Sequence, residues 1–194
     1  MSTPQFDQFC WFGKLPAHGD FLQGNLSELQ KATLDTMLSK LMADTQANPV
    51  WLSRYFETSP FDLLGHCPSL GPFQAFLMPS IDKVGRAFPW MVIKPTAGAF
   101  CPFLQKQVEQ LSVAAFDEDW NINTLISKLS QLIKDKAPAN MSIAPESQCA
   151  APVASALPLH TMMWRSRQQG NEWSSLTRFP PCSEQWGEML HERG

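Results

Sequence analysis

The sequence has no run of about 18 consecutive apolar residues, the length a helix needs to cross a bilayer, so no membrane-inserted segment is expected. Its first residues, MSTPQFDQFCWF, hold no Lys or Arg ahead of an apolar core, so they do not make a signal peptide. The expected compartment is therefore the cytoplasm. Basic charge is not in excess: 15 Lys and Arg stand against 18 Asp and Glu, a net charge of −3. Proteins that grip nucleic acid carry a basic face that releases counterions from phosphate, so no nucleic acid partner is expected. There is no Cys-x-x-Cys pair. The five cysteines (Cys10, Cys67, Cys101, Cys149 and Cys182) are odd in number and widely spread, which suits reduced, buried thiols better than a disulfide framework or a zinc site. Neither a metal nor a cofactor is expected.

What the chain does have is apolar mass. Hydrophobic residues make up 44% of the 194, with 13 Phe and 7 Trp among them. Each buried aromatic removes about 150–250 Å² from water, so a packed core is expected and disorder of the bulk is excluded. The length suits a single domain over residues 1–194.

Periodicity gives the element order. Residues 9–12 (FCWF) form a strand candidate that runs into the Gly- and Pro-shaped loop GKLPAHGD. A helix follows, opened by a capping box of Asn25 with Glu28 or Ser27 with Gln30. Its apolar residues, Leu34, Met37, Leu38, Leu41 and Met42 among them, recur at three- and four-residue steps, and Asn48-Pro49 stops it. Residues 49–72 read as irregular. Residues 73–78 and 90–94 are strand candidates flanking the turn-rich PSIDKVGRAFP. Pro102 opens a helix with a Leu104, Val108, Leu111, Ala115 stripe, and a further helix carries Leu125, Ile126, Leu129, Leu132 and Ile133. Residues 137–158, with four Pro, seven Ala and no Gly, read as an extended connector within the domain. Residues 159–164 and 172–176 suggest a hairpin, and residues 183–190 a closing helix. The fold class is mixed α/β, α+β-like: a largely antiparallel sheet with helices packed on its faces.

Two segments concentrate polar residues in shaped loops. In FGKLPAHGDF, Gly13-Lys14 invites a phosphate-loop reading, but Gln8 stands where the first glycine of that motif belongs and Leu15 where the magnesium-binding hydroxyl belongs. His18 and Asp20 could form an acid–base pair, yet no nucleophile elbow exists to use it, and Ser80 is only the best serine available. The plainer reading gives Gly19 an unusual backbone angle and Asp20 a turn-capping role. In PSIDKVGRAFP, Asp82 and Arg86 suit a local ion pair. The sharper alternative has Arg86 reaching Asp20 across neighbouring loops through a bidentate contact. A third cluster, Asp117-Glu118-Asp119-Trp120, reads as a solvated turn at a helix start or as an imitation of a phosphorylated segment.

FGKLPAHGDF near the amino end and PSIDKVGRAFP further on resemble the signature of the TagF (ImpM) family of type VI secretion-associated proteins. The tail adds MMW at 162–164 and FPPCSEQWGEML at 179–190, so the likeness spans nearly the whole chain. It departs at LQGNL, which lacks an Arg, and at Met163. The resemblance implies a cytoplasmic, non-enzymatic, post-translational repressor that acts on a forkhead-associated scaffold protein of the secretion system. On that reading the two loops form a preorganised binding surface. Its candidate residues are Lys14, His18, Asp20, Asp82 and Arg86, with Trp11 and Trp90 as aromatic anchors. The alternative is an enzyme handling phosphate or a nucleotide, with Lys14 and Arg86 as clamp and His18 as acid or base.

Overall fold

The computed structural model describes residues 8–134, 152–166 and 173–176. In chain order the elements are β1 (Cys10–Gly13), β2 (Leu22–Gly24), α1 (Glu28–Gln46), α2 (Trp51–Glu57), β3 (Phe61–Cys67), β4 (Gly71–Met78), β5 (Trp90–Pro95), α3 (Pro102–Asp117), α4 (Ile122–Lys134), a 3-10 turn (Ala154–Ala156), β6 (Thr161–Ser166) and β7 (Ser174–Leu176). The strands form one antiparallel sheet of seven, ordered β2-β1-β5-β4-β3-β6-β7. Mixed α/β with an antiparallel sheet is thus the fold class, as the element order suggests.

Helices cover both faces, and the alternation of side chains along each strand decides which. Phe12, Leu63, Phe73, Ala75, Leu77, Met91 and Ile93 point to one face and meet Leu34, Met37, Leu38 and Leu41 of α1 and Tyr55 of α2. Phe76, Met78, Trp90 and Val92 point to the other and meet Leu104, Val108 and Ala115 of α3 and Leu125 and Leu129 of α4. Buried on both sides through most of their length, β4 and β5 carry only two polar residues, the half-buried Lys94 near the end of β5 and the buried Gln74, which accepts the backbone N–H of Cys101 ahead of α3 at 3.1 Å. The α1 start is a reciprocal cap: the Gln30 N–H donates to Ser27 Oγ (3.3 Å) and the Ser27 N–H to Gln30 Oε1 (2.8 Å).

Residues 49–72 correct the sequence reading. They are not irregular: they supply α2 and β3, a strand paired on both sides by β4 and β6. FDLLG has no alternation because both of its faces are covered, and a short apolar run of that kind is ambiguous between strand and loop. Gly65 lies under the Phe73 ring, where an added Cβ would come within 2.5 Å of ring carbon. Sequence reading also misses the three-residue β2. The last part of the proposed connector is docked instead of extended. The Phe100 N–H donates to Pro152 O (2.9 Å) and the Ala154 N–H to Gly98 O (3.2 Å), with Ala154 buried against Leu64 and Phe100. The remainder of that connector and the closing helix at 183–190 lie outside the described residues. Among the described residues no helix is long and apolar enough to cross a membrane.

Candidate functional site

β1 and β5 run antiparallel with Gly13 opposite Trp90. The loop that leaves β1 and the loop that enters β5 therefore emerge side by side at one end of the sheet. Gly13 permits the approach. Its φ is +134°, and a Cβ there would sit 2.0 Å from the Pro89 carbonyl oxygen.

The loops are joined by a buried carboxylate. Lys14 Nζ donates to Asp82 Oδ2 at 2.8 Å, and the two side chains are only 7% and 0% exposed. Arg86 Nε donates to the same oxygen at 2.6 Å. The other oxygen, Oδ1, accepts the backbone N–H groups of Val84 (3.1 Å) and Arg86 (2.9 Å). A turn over residues 82–86 makes this possible: the Asp82 N–H donates to Arg86 O and the Gly85 N–H to Asp82 O, with Gly85 at φ +85°. Burial is the largest single influence on the Asp82 carboxyl and pushes its pKa up. The hydrogen bonds from Lys14 and Arg86, with the Lys14 charge, outweigh it and hold the group well below the usual carboxylate range.

Further contacts fix the loops to each other and to the sheet. Arg86 Nη2 donates to the Gly19 carbonyl. The Lys83 N–H donates to His18 O (2.8 Å), and Ser80 Oγ donates to Lys14 O (2.7 Å). Tyr55, the single tyrosine of the chain, ties the second loop to α2: its hydroxyl accepts the Ser80 N–H (2.9 Å) and donates to Ser80 O (3.2 Å). Burial, offset in part by the Ser80 bond, pushes the Tyr55 phenol well up, so it stays a neutral hydroxyl. His18 Nε2 accepts the backbone N–H of Ile122 at 2.9 Å. That bond places the ring proton of a neutral His18 on Nδ1, and it ties the first loop to the start of α4.

Phe21 closes the first loop. Its ring meets Phe88 edge-on at 4.6 Å and lies 4.9 Å from the Lys14 ammonium. The ammonium is thus held between a carboxylate and an aromatic ring.

The structure brings Lys14, His18, Asp82 and Arg86 together, leaves Asp20 exposed beside them in the first loop, and keeps Trp11 and Trp90 off that surface. Arg86 does not reach Asp20. Its guanidinium is held by Asp82, four residues before it in the same turn, and crosses only to the Gly19 carbonyl. Asp20 is exposed and caps no turn among the described residues, and Gly19 has no positive φ; the left-handed glycines of the site are Gly13 and Gly85. Trp90 is no surface anchor. It is fully buried beneath α3, with its Nε1 3.4 Å from Ser112 Oγ. Trp11 is half-buried over Gly24, in a cleft of about 410 Å³ bordered by Ile126 and Ile133 of α4, apart from the loop cluster. Lys14 and Asp82 lie beneath the surface and shape it, so the outward-facing groups are Asp20, Phe21, Lys83, Val84 and Arg86. Sequence reading took Gly13 only as part of a phosphate loop and left Tyr55, Phe21 and Val84 out of the site. The signal for the first two was present in a glycine directly before a lysine in a shaped loop and in the one tyrosine of an aromatic-rich chain.

Nothing in this cluster is arranged as a nucleophile with its base. Ser80 Oγ is hydrogen-bonded to backbone. The thiol of β1, Cys10, donates to Asn25 O (3.0 Å), and burial, against the pull of Lys94, pushes it up to about 11.

Comparison with known proteins places this geometry. The crystal structure of PA0076 from Pseudomonas aeruginosa PAO1 superposes with a TM-score of 0.73 at 22% identity over 96% of each chain. At that identity the likeness carries the fold alone. No curated protein is a significant match. The family described as TagF N-terminal domain, type VI secretion system-associated, matches residues 10–132, a segment that contains both loops. On that match the chain belongs to the TagF family of type VI secretion-associated proteins.

Proposed function

We propose that this chain is a non-enzymatic, post-translational repressor of type VI secretion that works in the cytoplasm by binding the forkhead-associated scaffold protein of the system. The observation that carries this reading is the Lys14–Asp82–Arg86 bridge. It clamps two loops, 68 residues apart at Lys14 and Asp82, into one fixed surface. A surface held in this way loses little conformational entropy on binding, which favours a docking role.

The other reading, an enzyme that clamps phosphate with Lys14 and Arg86 and uses His18 as acid or base, draws less support. The Lys14 ammonium is buried on Asp82, and His18 Nε2 is occupied by the Ile122 N–H. A clamp built from those groups would have to break the bonds that hold its own loops.

Affinity purification of the tagged full chain from native cytoplasm tests the proposal. The scaffold is expected to co-purify with the unaltered chain and to be lost with the Asp20→Arg, Arg86→Glu double variant, with melting curves recorded for both. Undiminished recovery of the scaffold by a folded double variant removes these loops as the binding surface.

A further inference from the structure

The outward side of the loop cluster has a chemistry that selects its counterpart. Arg86 is 60% exposed, yet its guanidinium is fixed at two points, Nε on Asp82 and Nη2 on the Gly19 carbonyl. A guanidinium carries five N–H donors, and Nη1 has no partner among the described residues. The edge formed by Nη1 and the far side of Nη2 is therefore presented to solvent in a set orientation, the geometry a carboxylate matches with two parallel hydrogen bonds.

Charge and apolar surface point the same way. Lys14 and Arg86 share one carboxylate, Asp82, so the cluster holds one positive charge in excess, and the exposed member is Arg86. Lys83 adds another cation beside it and Asp20, which enters no ion pair among the described residues, one anion, so the three cations and two carboxylates of the loops keep a net charge of +1. Each of the two loops that the guanidinium bridges also exposes a large apolar side chain: Val84, 70% exposed, in the Asp82–Arg86 turn, and Phe21, 47% exposed, two residues after Gly19 and 4.9 Å from the Lys14 ammonium. Val84 shares the Asp82 turn through its own backbone N–H.

Resting on the scaffold-binding reading above, we infer that Arg86, Val84 and Phe21 form the recognition point for an acidic, apolar segment of the partner protein. An Asp or Glu of that segment is taken by the open edge of the Arg86 guanidinium, and a neighbouring apolar side chain packs on Val84 and Phe21. Lys14 and Asp82 are positioning residues that aim the guanidinium.

The test is calorimetric binding of the purified full chain to the purified scaffold, using charge of either sign at the exposed Val84, whose side chain makes no hydrogen bond or ion pair. Val84→Glu is expected to weaken binding about tenfold or more, and Val84→Lys clearly less, since both lose the apolar contact and only the glutamate repels an acidic segment. A purely steric role for Val84 would weaken both alike. Arg86→Lys, which keeps the charge and loses the fork, is expected to weaken binding about tenfold, and added salt to weaken the unaltered pair. Equal losses for the two Val84 variants, or a larger loss for Val84→Lys, overturns the acidic segment while leaving the scaffold reading in place. Absence of any binding by the unaltered chain overturns both.

Discussion

Asp82→Asn is expected to cost about 3–5 kcal/mol of folding stability, because it leaves the Lys14 ammonium buried without an opposite charge. For a chain of this length that is a fall in Tm of about 6–20 °C. The carboxylate is also the one group that accepts from both cations and from the Val84 and Arg86 N–H groups. Adding Lys14→Met to Asp82→Asn is expected to cost less than the sum of the two single changes, since each alone strands a buried group. The effect carries a pH signature. Asp82 is held below the ordinary carboxylate value, so its contribution is fully present above the unfolded value of about 4 and is lost as pH falls below it toward the folded one. The stability gap between the unaltered chain and Asp82→Asn is therefore widest at neutral pH and narrows on acidification. Chemical denaturation of the three variants at several pH values measures both effects; a gap that widens in acid would contradict the bridge.

Gly13→Ala is expected to destabilise the chain by about 3 kcal/mol or more, since it combines a left-handed backbone with a backbone clash. The added methyl would sit 2.0 Å from the carbonyl oxygen of Pro89, directly before β5, and no side-chain rotation relieves that backbone contact. Gly19→Ala is the contrast. Its Cβ meets nothing within 4 Å and its φ is not positive, so the change is expected within about 0.5 kcal/mol. Thermal melts of the two variants compare a glycine required by close approach with one that is merely tolerated. Similar costs at both positions would mean that the loops do not leave the sheet as described.

The parts of this structure legible in the sequence are those that local rules determine. The Ser27–Gln30 cap, Pro102 at the start of α3, and the Leu104, Val108, Ala115 stripe follow from three- and four-residue spacing. The strands β4 and β5 follow from apolar runs bounded by turn residues. The two loops stand out because Gly and Pro crowd them. β3 was hidden because a strand covered on both faces shows no alternation, and Gly65 imitates a turn when it serves as a bed for Phe73.

Depth was the other illegible quantity. Residue type places Lys14, Asp82 and Arg86 in shaped loops but does not reveal that two of them are buried and only the third is offered to solvent. The pairing of Arg86 with Asp82, the local one of the two readings the sequence offered, prevails over Asp20 for a reason of turn geometry. A five-residue turn delivers the nearer carboxylate first, and once Asp82 holds the guanidinium the neighbouring loop supplies a backbone carbonyl. The consequence for function is that charge and position divide: Lys14 and Asp82 set the shape, while Asp20, Phe21, Val84 and Arg86 make the surface.

Hydrogen–deuterium exchange of the full chain, with and without the scaffold, addresses the docking role of that surface most directly. Peptides covering residues 18–21 and 82–86 are expected to exchange more slowly in the complex, while those of β3 and β4 beneath keep their rates. Formation of the complex with both loop segments unchanged, and slowing confined to another face, would contradict the assignment.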